Sequence, residues 1–232
     1  VGAITVATGS GNVSITEADT LANGMDVASI TRTGGNVTLN SGITPIDQSG
    51  VISIASGALN LTGGTITLTN DNTLGAITVA SGGGDVSLTE DDSTNGMDVA
   101  SIVRTSGNLS LDSKTNSIDQ TGVISIDDGT INLTGGAITL TDDNIFGAIT
   151  VANGAGDVKI TEADTTNGID IAAITRTDGD LTLDGKTNAI DQVGTGVISI
   201  DDGALNLTGG PITLANNNIA GVITVETGNG NV

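Results

Sequence analysis

Acidic residues recur in this chain at a fixed spacing, and they are the side chains with the clearest chemical potential. Glu17, Asp19 and Asn23 stand in EADTLANG, Glu90, Asp91, Asp92 and Asn95 in EDDSTNG, and Glu162, Asp164 and Asn167 in EADTTNG. A hard cation such as Ca²⁺ takes about six to eight oxygens from carboxylates and carbonyls, and each of these loops could supply several. The sequence therefore nominates Glu17, Asp19, Asn23, Glu90, Asp92, Asn95, Glu162, Asp164 and Asn167 as a Ca²⁺ set on one protruding arc. The simpler reading is a solvated acidic loop in which Asn-Gly only makes a turn. The spacing fits neither the EF-hand loop nor the glycine-rich nonapeptide calcium repeat.

The other charged residues recur too. Asp127–Asp128 and Asp201–Asp202 sit at IDDG turns, but the first copy has Ala55–Ser56 there, so the fold does not require acid at that place. Asp142 and Asp143 belong to a bend. Arg32, Arg104 and Arg176 are equivalent, as are Lys114 and Lys186, with Gly42 in their place in the first copy. With 27 Asp plus Glu against 6 Lys plus Arg, a net charge of −21, these cations read as local neutralisers of stacked carboxylates. Such a surface repels phosphate backbones and anionic lipid, so no nucleic-acid partner is expected. Nor is membrane insertion, since no apolar run approaches the roughly 18 residues of a span.

Catalysis is not expected either. There is no His for general-base work, no Trp or Tyr to stack a sugar, and the acid pairs recur with the architecture. An ice-binding face is suggested by Thr65, Thr67 and Thr69 and by Thr139 and Thr141, but the row breaks at Ala137 and Ala215. Outward threonines as strand formers are the simpler account.

The elements behind these residues repeat as well. GAITVATGSGNVSIT at Gly2 returns as GAITVASGGGDVSLT at Gly75, as GAITVANGAGDVKIT at Gly147 and as GVITVETGNGNV at Gly221. The copies are 2–74, 75–146 and 147–220, with a partial fourth at 221–232. The chain opens on Val1 and stops inside that fourth copy, as an excised piece of a longer protein would. In the first copy, period-2 apolar runs fall at Ile4–Val6, Val13–Ile15, Met25–Val27, Ala28–Ile30, Val37–Leu39, Ile43–Ile46, Ile52–Ile54, Leu59–Leu61 and Ile66–Leu68. Gly, Asn, Asp and Ser breaks separate them, and nothing has helical period.

A shorter motif starts at Val13, Val37 and Leu59, then at Val86, Leu109 and Ile131. Its steps of roughly 24 residues fall in the range of one solenoid coil. This predicts an all-β fold, a three-sided parallel β-solenoid (β-helix) with about 24 residues per coil and three coils per repeat. A sandwich or barrel would explain the turns but not the nested period. At about 4.8 Å per coil the rod would be roughly 45 Å long. Its narrow interior suits Ile, Val and Leu better than aromatics, and only Phe146 is aromatic. Asn72, Asn144 and Asn218 share one bend position and are expected to form a structural ladder along the axis. The extra residue in EADTLANG and the two in IDQVGTGV mark exposed loops.

GAITVANGAGDVKIT, SGNLSLDS and GALNLTGGPITLANNN resemble the repeats of large bacterial secreted exoproteins of the filamentous-haemagglutinin type. That resemblance covers nearly the whole chain. It implies a right-handed β-helix outside the cell, in an adhesin, a biofilm component or a stalk. The expected function is thus a structural, non-catalytic segment of an extracellular fibre or matrix filament. Two alternatives are the rod of a surface adhesin whose tip lies elsewhere, and a Ca²⁺-dependent matrix or surface-layer component. Expected partners are further coils of a longer chain or other copies stacked end to end on open strand edges.

Overall fold

A chain of short, alternating, β-branched runs cannot bury its apolar side chains strand by strand, so it must stack them. In the computed structural model, which describes residues 2–17, 23–127 and 129–227, it does so as a parallel β-solenoid of about ten turns, with no helix among those residues. Two sheets run the length of the molecule. One contains Val13–Thr16, Val37–Asn40, Ala58–Thr62, Ala76–Val79, Met97–Arg104, Ile118–Gln120, Ile138–Asn144 and Val158–Glu162, and continues to Ile223–Thr227. The other contains Ile4–Val6, Met25–Arg32, Ile46–Gln48, Ile66–Asn72, Val86–Glu90, Leu109–Asp112, Ile131–Thr134 and Ile149–Val151, and continues to Ile212–Thr213.

Alternation decides what lies between the sheets. Val37 and Leu39 point inward while Thr38 and Asn40 stay partly exposed, and the following coils copy the pattern. The result is one continuous core of Ile, Leu and Val. Phe146 belongs to it at 1% exposure, at the corner where the preceding copy has Leu74. The interior therefore accepts an aromatic at this corner, contrary to the expectation from a narrow core.

A short third side appears where the long strands bend. Ile52–Ile54 pairs with Ile30–Arg32, the far half of Met25–Arg32. Ile124–Ile126 and Ile198–Ile200 do the same on Ile102–Arg104 and Ile174–Arg176. Single bridges at Ser53–Thr73, Ser125–Ile145 and Ser199–Ile219 extend it by one more coil.

The coils are shorter than the motif spacing suggests. Val13 pairs with Val37, Val37 with Leu59, and Leu59 with Ile77, each step shorter than the one before. The average coil is about 22 residues. The longer step from Leu59 to Val86 is not one coil but a coil and a half, because tight links at Gly63–Gly64 and Leu74–Gly75 turn the chain sooner. From Val86 the ladder climbs through Leu109 and Ile131 to Ile149, and Val158 follows half a turn later on the other sheet. One copy is thus three and a half turns rather than three. Equivalent residues of successive copies lie on opposite sides of the rod.

One expected strand is displaced. Ile43–Ile46 is a turn leading into the strand Ile46–Gln48, and Ile43 is 91% exposed. Ser41 and Thr44 close that turn reciprocally, each hydroxyl donating to the other's carbonyl at 2.7 and 2.8 Å. Lys114 and Lys186 hold the tip of the same turn at φ +58°, where the first copy has Gly42.

Candidate cation pocket and the buried polar network

The acidic loop does not present its glutamates to solvent. Val86–Glu90 carries alternation past its last apolar residue, which swings Glu90 under the corner at 1% exposure. Its Oε1 accepts the Leu74 N–H at 2.8 Å, and Oε2 is buried with no donor. Glu162 repeats this at 0% exposure, its Oε1 on the Phe146 N–H at 3.1 Å and its Oε2 without a donor. Glu17 is buried as well. Burial pushes the Glu90 carboxyl up to about 7, helped by Asp92 and Asp98, although the Leu74 and Gly75 N–H groups pull the other way. Glu162, opposed by the Phe146 N–H alone, rises to about 9.

The rest of the nominated set does turn chemistry. Asp92 Oδ1 accepts the Thr94 N–H at 2.8 Å, and Oδ2 accepts the Asn95 amide at 3.1 Å. These bonds hold the Asp92 carboxyl below its ordinary range. Asp164 accepts the Thr166 N–H at 2.8 Å and the Asn167 amide at 3.5 Å in the same way. Gly96 and Gly168 finish the turns at φ +70°. A Cβ there would meet the Ser117 or Ala189 carbonyl oxygen at 2.5 or 2.3 Å, so the Asn-Gly pair is dictated sterically. Asn23 is exposed, and Asp19 lies outside the described residues. The second and third loops do not share one arc, because Val86–Glu90 and Val158–Glu162 lie on opposite sheets of the rod.

A pocket of about 200 Å³ opens where this loop meets the two coils before it. Glu90, Asp92, Asn95, Asp98, Ser56 and Gly75 contribute to its lining. Sequence reasoning missed Asp98. Its signal was available: Asp26, Asp98 and Asp170 follow the first residue of each long strand at the same place. Each stacks in register on another aspartate of the next coil, Asp47, Asp119 and Asp191. Burial, Asp191 and Asp164 together raise the Asp170 carboxyl. Among the described residues, no three acidic side chains are arranged to hold a metal ion.

The bend asparagines do not stack on one another, since successive ones lie three and a half turns apart. Each pairs instead with a glutamine one coil earlier. Gln48 donates to Asn72 Oδ1 at 2.8 Å and Asn72 donates back to Gln48 Oε1 at 3.0 Å. Asn72 also accepts the Ile52 N–H and donates to the Thr89 carbonyl, so one buried side chain ties three coils. Gln120 with Asn144, and Gln192 with Asn218, repeat the reciprocal pair. The IDQ triplet was the overlooked signal.

The arginines are corrected too. Arg104 and Arg176 are buried at 2% and 1% exposure, and their guanidinium groups meet carbonyls rather than carboxylates. Arg104 donates to Gly63 and Gly64 two coils away and to Ala80, Gly83 and Gly84 one coil away. Burial draws its pKa down. A fork of fixed donors suits such a cage, and Gly82 leaves room for it. Arg32 donates to Ala7 and Gly11. The lysines do meet acids: Lys114 lies 3.5 Å from both Asp71 and Asp112, and Lys186 lies 3.6 Å from both Asp143 and Asp184. Asp142 offers its N–H to Gln120 Oε1. Asp127, Asp201 and Asp202 are exposed, and Asp128 lies outside the described residues.

No curated protein and no solved structure matches this chain. A family described as repeats of unknown function, DUF5649, matches residues 83–153 and 155–226. Each matched segment is one copy of the three-and-a-half-turn unit in a shifted phase, and together they span more than half of the sequence. The chain therefore belongs to the DUF5649 repeat family.

Proposed function

We propose that this chain is a structural, non-catalytic segment of an extracellular fibre, stalk or matrix filament on a bacterial surface. The observation that carries the reading is the uninterrupted parallel pairing of coil on coil over one core. Each copy is tied to the coil before it by the same reciprocal Asn–Gln pair, and Arg104 and Arg176 each cap carbonyls of two preceding coils. A repeat-built β-solenoid of this kind fits a load-bearing role, because nearest-neighbour contacts add up along one axis. Its partners are further coils of a longer chain or other copies end to end. The surface, with a net charge of −21, keeps neighbouring rods apart unless cations bridge them.

Immunogold labelling with an antibody to this chain tests the proposal on intact cells of the producing organism. Label on thin external filaments of unpermeabilised cells is the expected result. Label that appears only after permeabilisation would overturn it.

A further inference from the structure

Two carboxylate oxygens in one pocket have no donor. Glu90 Oε2 belongs to a side chain only 1% exposed, and Asp98 Oδ1 is buried without a partner beside it. Withdrawing an acceptor from water without a donor is costly. In addition, Asp98 stacks in register on Asp119, and like charges directly opposite destabilise a ladder. Two of these features return one copy later, where Glu162 Oε2 is unpartnered and Asp170 stacks on Asp191. Asp92 and Asp164 instead have donors, since their oxygens accept the bonds that hold the turn.

A positive charge between the two carboxylates removes both penalties. A direct cage is not available, since no three acidic side chains converge among the described residues. Small hard divalent ions, however, keep several waters and bind through one or two carboxylates, and a pocket of about 200 Å³ has room for them. We propose that this pocket holds a hydrated divalent cation between Glu90 and Asp98, and that Glu162 and Asp170 form a second such site. The two sites lie on opposite sides of the rod.

Scanning calorimetry of the chelator-treated chain at alkaline pH tests this, with CaCl₂ or MgCl₂ compared against NaCl at equal ionic strength. The divalent ion is expected to raise the unfolding midpoint by roughly 3 °C or more. That rise should vanish in Glu90→Gln with Glu162→Gln, and separately in Asp98→Asn with Asp170→Asn. It should persist in Asp71→Asn with Asp143→Asn, which remove the same number of charges from exposed positions. If the glutamine pair fails to fold, the Asp98 and Asp170 pair decides. A rise that NaCl reproduces, that survives in the pocket variants, or that the exposed pair abolishes equally, overturns the proposal.

Discussion

Glu162 keeps one carboxylate oxygen on the Phe146 N–H and the other facing no donor, so its charged form is unwelcome in the folded chain. Its folded pKa of about 9, and the value of about 7 at Glu90, lie above the ordinary 4.5. Between those limits the unfolded chain has released a proton that the folded chain retains. Stability from these groups is therefore whole below about pH 4.5 and is lost as pH rises, through about 7 for Glu90 and about 9 for Glu162. At neutral pH each loss is on the order of 3 kcal/mol. Glu162→Gln, compared with the parent in chelator by denaturant unfolding, should be more stable near pH 8 and indistinguishable near pH 4. Equal stability of the two chains across that range would show that the carboxyl is not held neutral by its burial.

The strands themselves were legible in the sequence, because inward Val37, Leu39, Leu59 and Leu61 announce their alternation. Their stacking order was not. Spacing alone cannot tell one long coil from a short coil followed by half of the next, and only the sharpness of the Gly63–Gly64 and Leu74–Gly75 links separates the two. Burial of Glu90 and Arg104 was hidden for a different reason. Charged side chains at strand ends ordinarily face water, and their partners are backbone groups of other coils, which carry no residue signature. Stacking order is open to direct measurement. Asn60 and Thr78 are in-register neighbours on adjacent coils, whereas Asn60 and Ser87 occupy different sheets. The sequence contains no cysteine, so engineered pairs have no background. Asn60→Cys with Thr78→Cys should form a crosslink with a short bis-maleimide, and Asn60→Cys with Ser87→Cys should not. The reverse outcome would restore the three-coil unit.

At the scale of the whole molecule, the half turn left over in each copy converts a linear repeat into a two-sided one. Val13–Thr16 lies on one sheet, Val86–Glu90 on the other, and Val158–Glu162 back on the first. Any feature encoded once per copy, whether the Asn-Gly turn, the left-handed turn tip at Gly42, Lys114 and Lys186 or the buried glutamate at Glu17, Glu90 and Glu162, is displayed alternately on opposite edges. A lattice built through such features would extend both ways from each rod, as a single-sided unit cannot. The same half turn sets the length increment. Three and a half coils at about 4.8 Å give about 17 Å per copy, against about 14 Å for three coils. Chains lengthened by one, two and three further copies of residues 75–146 should grow by about 17 Å per copy in small-angle X-ray scattering, at unchanged cross-section. Increments of about 14 Å, the value for three whole coils, would contradict the alternating geometry, and growth of the cross-section instead of the length would contradict the rod.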